Sequence, residues 1–204
     1  MKTDVVSISY NGQNTQLAEL QAKKIAEYKG LSEKDALHLF LLTEEMMGLM
    51  RSITGATNGK FWIEDEDGVY RLHLSVGAVV DKQARKQLLA TASSGKNEAM
   101  RTLSGKLREF FFRGGDDDAA AYRNPYFNEG RTGMGDASMP AQAWQWSLAQ
   151  YRQALPPREE ARQDAKADEA WDELERSVIA HVADDVKVSI RGYQTELILE
   201  KKLG

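Results

Sequence analysis

The residue types that carry most enzyme chemistry are sparse in this chain. It contains no cysteine, which removes thiol nucleophiles and thiolate metal ligands together. Its three histidines, His38, His73 and His181, stand far apart and lack the short spacing of a paired metal site. No serine occurs in the G-x-S-x-G pattern of a nucleophile elbow. The sequence therefore argues against a metal site and against a nucleophilic hydrolase.

Two other groupings have residue types that can do chemistry. Glu44 and Glu45 form an adjacent acidic pair, for which a solvated helix face is one interpretation and a catalytic carboxylate the other. The glycines from Gly130 to Gly135 can cradle phosphate, although flexibility alone also explains such a run. Aromatic residues in or beside the same region either anchor a partner or fold the region back onto the body. These aromatics are Tyr122, Tyr126, Phe127, Trp144 and Trp146.

Composition and charge set the class of protein. A chain of 204 residues with 42% hydrophobic and 28% charged residues predicts one domain with its own core. The 27 basic and 31 acidic residues leave a net charge of -4, which predicts no nucleic-acid partner and no membrane surface. The first residues lack the pattern of a secretory signal, so the expected location is cytoplasmic.

Turn and capping residues mark the ends of the predicted elements in the first half of the chain. Alternating residues predict a strand over 4–10, and helical spacing predicts a helix over 15–28 that Gly30 terminates. Ser32 with Asp35 three residues later predicts the capped start of a long helix that runs to Gly55.

A hairpin follows that helix. Strands are predicted over 61–66 and 69–76, with Asp67-Gly68 as the two-residue turn between them. Two further helices are predicted over 82–91 and 97–112.

The second half is less regular. Residues 113–140 predict a long loop, after which Trp144, Leu148, Tyr151 and Leu155 form a helical stripe. The charged stretch 158–168 is interpreted as a solvated helix or a hinge.

A last helix and a closing hairpin complete the chain. The helix carries Trp171, Leu174, Val178 and Val182, and the hairpin turns at Gly192. The order predicts an α+β two-layer sandwich, with helices on one face of a mainly antiparallel sheet. We expect one domain over 1–204 with a loop- and helix-rich insertion at about 113–170.

A family resemblance appears at both ends of the chain. A strand, a helix ending near GLSEKDA and a long helix carrying EE occur in SISYNGQNTQLAELQAKKIAEYKGLSEKDALHLFLLTEEMMGLMRSI. A last helix, an acidic exit and a closing hairpin occur in WDELERSVIAHVADDVKVSIRGYQTELILEKKL. In these features the chain resembles the histidine-kinase-like ATPases of the GHKL superfamily, which have the Bergerat fold, and most closely their anti-sigma-factor kinase branch. The resemblance covers 1–80 and 171–203.

The resemblance implies positions for a nucleotide site on the long helix. In that family a glutamate orients or activates water or a hydroxyl, an asparagine four residues later coordinates magnesium, and an arginine often follows three residues on. By this correspondence Glu44 takes the carboxylate position, Gly48 the asparagine position and Arg51 the arginine position. Glycine has no side chain to coordinate magnesium. Starting from Glu45 instead places Leu49 there, so the change of register does not restore the ligand.

The other nucleotide motifs of the family are also replaced. An aspartate in D-x-G-x-G, which binds the adenine amino group, would fall at Ala78, and Asp81 could serve only in a different register. The glycine-rich lid before the last helix is missing, because no glycine occurs between Gly135 and Gly192.

The resemblance therefore implies a regulatory or signalling protein with a degenerate ATP-binding domain. Such a protein would bind a protein partner, sigma-factor-like or antagonist-like, without phosphotransfer, and a homodimer is possible. The resemblance implies ATP with magnesium as the cofactor, although the motifs that would bind it are eroded. One alternative is an active anti-sigma-type serine kinase or ATPase in which Glu44 is the base, Asp81 reads adenine and the glycines at 130–135 close over phosphate. The other is a purely structural interaction module with no ligand.

Overall fold

The computed structural model describes residues 1–9, 15–53, 58–77, 143–191 and 194–204. The chain begins with strand β1 at Val6–Ser9, helix α1 at Thr15–Lys29 and helix α2 at Glu33–Ile53. The remaining described elements, in chain order, are β2 Asn58–Glu66, β3 Val69–Gly77, β4 Ala143–Ser147, α3 Leu148–Ala154, α4 Arg158–Ala161, α5 Ala165–Arg176, α6 Val178–Val182, β5 Asp185–Arg191 and β6 Gln194–Lys202.

The junction between α1 and α2 forms as the sequence predicts. Gly30 adopts a φ of 63°, a left-handed conformation that glycine reaches without steric cost, and it ends α1. Ser32 then caps α2, because its Oγ accepts a hydrogen bond from the Asp35 backbone N–H at 3.2 Å. The Ser32 hydroxyl also donates to the Asp35 carboxylate at 2.8 Å, which fixes the cap. The predicted helix boundary is confirmed.

The predicted hairpin is also confirmed. β2 and β3 pair antiparallel with Glu66 opposite Val69, so Asp67 and Gly68 alone form the turn. Both turn residues have positive φ, 52° and 80°, as the dipeptide favours.

One sheet joins all the described strands. Its order is β1-β2-β3-β6-β5-β4, and every neighbouring pair is antiparallel. The sheet therefore consists of two sets of three antiparallel strands, β1-β2-β3 and β6-β5-β4, which join where β3 pairs with β6. This arrangement confirms the prediction of a mainly antiparallel sheet.

The core lies on one face of this sheet. Alternate residues of the central strands are buried there, including Phe61, Leu72 and Leu199, each fully enclosed. Helical residues such as Ile25 and Leu42 belong to the same hydrophobic cluster. The fold is therefore α+β, with helices packed on an open antiparallel sheet.

Two sequence predictions in the second half are wrong. The predicted last helix is two helices, α5 and α6, because Ser177 between them has an extended backbone and caps α6 with its side chain. The sequence predicts Trp144 in a helical stripe, yet it lies in β4 and pairs with Ile190 of β5. The helix begins only at Leu148, where the Ser147 hydroxyl caps it by accepting from the Gln150 N–H. The apolar spacing is helical from Leu148 onward, and Trp144 stands four residues before Leu148, so the same spacing includes it although the helix does not. Pairing with β5 decides the conformation of this segment, and a local pattern does not contain that partner.

The charged stretch that follows forms a short helix and a bend. Arg158, in α4, reaches across to α5 and contacts Asp168 at 2.8 Å and Asp172 at 2.6 Å. Trp171 in α5 donates its indole N–H to the Pro156 carbonyl at 2.9 Å. These contacts tie α4 to α5, so the stretch predicted as a solvated helix or a hinge contains a short helix, a bend and the start of α5.

Several predictions concern residues outside the described ranges. The helices predicted over 82–91 and 97–112, the loop over 113–140 and the turn at Gly192 belong to this group. Among the helices that are described, none combines the length and the apolar content needed to cross a bilayer.

Candidate functional site

The predicted nucleotide site belongs to one end of the sheet. Ser9 lies opposite Asn58, and Gly77 lies opposite Gln194, so the ends of β1 and β3 share an edge with the starts of β2 and β6. α2 ends at Ile53, shortly before β2 begins at that same edge. The C-terminal part of α2 and the end of β3 therefore approach one end of the sheet.

Glu44 and Gly48 occupy the exposed side of α2. Thr43, Met46 and Met47 point into the core, whereas Glu44 and Gly48 are exposed one turn apart. The Glu44 carboxylate forms no ion pair or hydrogen bond with a described residue. A Cβ added at Gly48 would meet no atom of a described residue within 4 Å. The two positions thus form an open strip of helix surface.

The other predicted site residues are placed only in part. Arg51 lies in the last turn of α2, and its side chain is outside the described residues, as are Ala78 and Asp81. The glycines at 130–135 are likewise outside the described ranges. The structure therefore brings Glu44 and Gly48 together and leaves the remaining positions as sequence predictions.

A pocket of about 550 Å³ lies at the opposite end of the sheet, beside the β2–β3 turn. Its lining includes Lys29 from the end of α1, Asp65 from β2, Tyr70 from β3 and Leu203 after β6. Sequence reasoning missed this pocket, because its residues come from four separate segments.

An ion pair dominates the electrostatics of this pocket. The Lys29 ammonium contacts the Asp65 carboxylate at 2.5 Å, and the Asp65 side chain is only 6% exposed. The hydrogen bond from Lys29 lowers the pKa of Asp65, against the effect of burial, and the Gly68 N–H assists at 3.2 Å. The same bond raises the pKa of Lys29, whereas burial raises the pKa of Tyr70.

The pocket residues neutralise each other rather than presenting a reactive group. Lys29 and Asp65 cancel in charge, and the Met1 amino group donates to the Asp65 carbonyl oxygen. The Leu203 N–H donates to the Gly68 carbonyl at 2.9 Å. This end of the sheet is therefore a junction in which polar contacts hold the first residues, the hairpin turn and the last strand together.

Metal chemistry gains no support from the described part of the chain. Within it, no group of three or more histidine, aspartate or glutamate side chains is placed to hold a metal ion. His38 lies in α2, His73 in β3 and His181 in α6, in keeping with their separation in sequence.

Compared with protein-family models, with curated proteins and with solved structures, the chain gives no match in any of the three.

Proposed function

We propose that the chain is a regulatory protein built on a degenerate GHKL-type ATPase domain, and that it acts by binding another protein without phosphotransfer. The order of described elements supports this proposal. A strand, two helices and a hairpin come first, and a helix and a hairpin come last, with the closing hairpin beside the central one. These are the elements on which the family resemblance rests.

The strip formed by Glu44 and Gly48 supports the proposal that the nucleotide site is degenerate. Gly48 stands one turn after the carboxylate, where the family places the amide that coordinates magnesium. The helix surface is open at that position, and glycine supplies no ligand to it. A carboxylate alone can orient water, but it lacks the second ligand that would hold the metal and the nucleotide phosphates.

The exposed side of the helical layer supports a protein partner. Among the described side chains of α1 and α2, five large hydrophobic ones are exposed. They are Leu17, Leu20, Tyr28, Leu37 and Phe40, with exposed fractions of 41%, 44%, 76%, 54% and 38%. A contiguous exposed apolar patch marks a surface that binds another protein. Leu17 with Leu20, and Leu37 with Phe40, are each three residues apart, so each pair lies on one side of its helix. By the resemblance, that partner is sigma-factor-like or antagonist-like.

Calorimetric titration with ATP and magnesium tests the degenerate site. The wild-type chain is expected to give no measurable binding and no hydrolysis. Glu44→Ala and Glu45→Ala form a matched pair, because the two glutamates are adjacent and only Glu44 occupies the family position. Micromolar binding with hydrolysis that Glu44→Ala abolishes and Glu45→Ala retains would overturn the proposal in favour of the active kinase or ATPase.

Capture from the host's extract tests the partner. The tagged full chain is expected to retain a protein that Leu37→Lys loses. Val178→Lys is the control, because Val178 is an apolar residue of α6 with a similar exposed fraction, 43%. Equal retention by both variants would exclude the exposed side of α2 as the binding surface.

A further inference from the structure

The pocket beside the β2–β3 turn contains a buried hydroxyl group that has no partner. Tyr70, in β3, lines this pocket and is only 2% exposed. In the described part of the chain its hydroxyl makes no hydrogen bond, yet that oxygen is not sealed from solvent. It therefore reaches the space of the pocket, where a ligand can complete its hydrogen bonding.

The Lys29–Asp65 ion pair lies close to this hydroxyl. Burial raises the pKa of Tyr70 most, the Asp65 charge raises it further and the Lys29 charge lowers it. Both charged groups thus act on the hydroxyl at short range, and both line the same pocket. The hydroxyl stays protonated at neutral pH, so it can donate one hydrogen bond and accept another.

The charge of the pocket that no protein group offsets is negative. Lys29 pairs with Asp65 at 2.5 Å, and Glu66 pairs with Arg71 at 2.9 Å. Asp67 also lines the pocket and is exposed, and among the described residues it has no ion-pair partner. A carboxylate without a counter-charge attracts a cation and repels an anion.

The rest of the lining adds an apolar wall. The Met1 amino group and the Gly204 carboxylate carry opposite charges, so together they leave the sign of the pocket unchanged. Leu31 and Leu203 belong to or pack against the hydrophobic core and present apolar surface beside the Tyr70 ring. The volume of about 550 Å³ lies within the usual range of small-ligand sites. A ligand with one cationic end and a short hydrocarbon part fits these features.

We propose that this pocket binds an alkylguanidinium group, with its charge facing Asp67, an N–H donated to the Tyr70 hydroxyl, and its hydrocarbon part against Leu31 and Leu203. A guanidinium group is planar, carries five N–H donors, is weakly hydrated and stacks on aromatic rings, which suits a pocket that is partly apolar. The group can belong to a small molecule or to an arginine side chain of a peptide. The inference depends neither on the nucleotide site nor on the exposed side of α2, so each can fail without the other.

NMR titration of the isotope-labelled full chain with butylguanidinium tests the site. We expect saturable shifts of the Gly68 and Leu203 amide signals, because both residues line the pocket. Butylurea is the control probe, since it has nearly the same shape without the charge, and it should bind about tenfold more weakly. Equal affinity for butylurea, or tighter binding of inorganic phosphate at the same signals, would overturn the proposal.

Two variants connect this binding to the named groups. Asp67→Asn should weaken butylguanidinium binding about threefold, and asparagine keeps the turn because it tolerates the φ of 52°. Tyr70→Phe should weaken it about fivefold through the loss of one hydrogen bond. Glu159→Gln is the control, because it removes the same charge from an exposed residue of α4 that does not line the pocket. Unchanged affinity in either folded variant, or an equal loss in Glu159→Gln, would contradict the assignment.

A short peptide with a single arginine, blocked at both ends, distinguishes the two sources of the ligand. Tighter binding of this peptide than of butylguanidinium assigns the site to an arginine side chain of a partner. Weaker binding assigns it to a free small molecule. Both results support the guanidinium site, whereas failure of both probes to shift the Gly68 and Leu203 signals overturns it.

Discussion

Replacing Gly48 with alanine should make the protein more stable. Gly48 lies inside α2, and its missing Cβ would meet nothing within 4 Å, so an added methyl group neither clashes nor becomes buried. The remaining effect is that of helix propensity, in which alanine is favoured over glycine by about 0.8 to 1.0 kcal/mol. The gain arises because alanine leaves the unfolded chain with less conformational freedom to lose.

Urea unfolding measures this effect, and Gly68→Ala is the matched control. With a denaturant dependence of about 2 kcal/mol per molar, Gly48→Ala should raise the midpoint by about 0.4 M. Gly68 has a φ of 80°, and a Cβ there would lie 3.1 Å from the Leu203 carbonyl oxygen. The same substitution at Gly68 should therefore lower stability by about 1 to 2 kcal/mol.

The opposite signs of these two effects are what the structure requires. A loss of stability in Gly48→Ala would mean that another part of the protein occupies the space beside Gly48. The strip formed by Glu44 and Gly48 would then not be open, and the reasoning about the degenerate site would fail. A neutral result at Gly68 would contradict the positive φ of the turn.

Three further substitutions test the ion pair and the core. Asp65→Asn should cost about 2 kcal/mol at neutral pH, because it removes the charge that Lys29 pairs with in a buried setting. The folded-state pKa of Asp65 is lowered, so the stability advantage of the wild type over Asp65→Asn is present above about pH 4 and is lost as the pH falls through that lowered pKa. An equal loss of stability in Asp65→Asn at neutral and at strongly acidic pH would refute the ion pair as the source of the effect. Phe61→Ala should cost about 3 to 5 kcal/mol by urea unfolding, because the side chain is 0% exposed in the core. Phe40→Ala, at a partly exposed position, should cost less than about 1 kcal/mol, and similar losses in the two variants would contradict the assignment of the core face.

Part of the candidate site was predictable from the sequence. The four-residue step from Glu44 to Gly48 places both positions on one side of a helix, and the structure puts them there. A solvated helix face is one of the two sequence interpretations of the Glu44–Glu45 pair, and Glu44 is exposed in the structure. The pairing of Lys29 with Asp65 was also unpredictable, since the two residues come from different elements that meet only after folding.

The sequence by itself determined the features that depend on neighbouring residues. Gly30 and Ser32 fix the boundary between α1 and α2, and Asp67-Gly68 fixes the central turn, because backbone sterics and local hydrogen bonds act over a few residues. Only the tertiary structure decided that Trp144 lies in a strand and that His73 lies between two carboxylates. Those outcomes depend on partners distant in the chain, β5 for Trp144 and β6 for one side of His73. Strand pairing supplies these partners, and no local pattern encodes them.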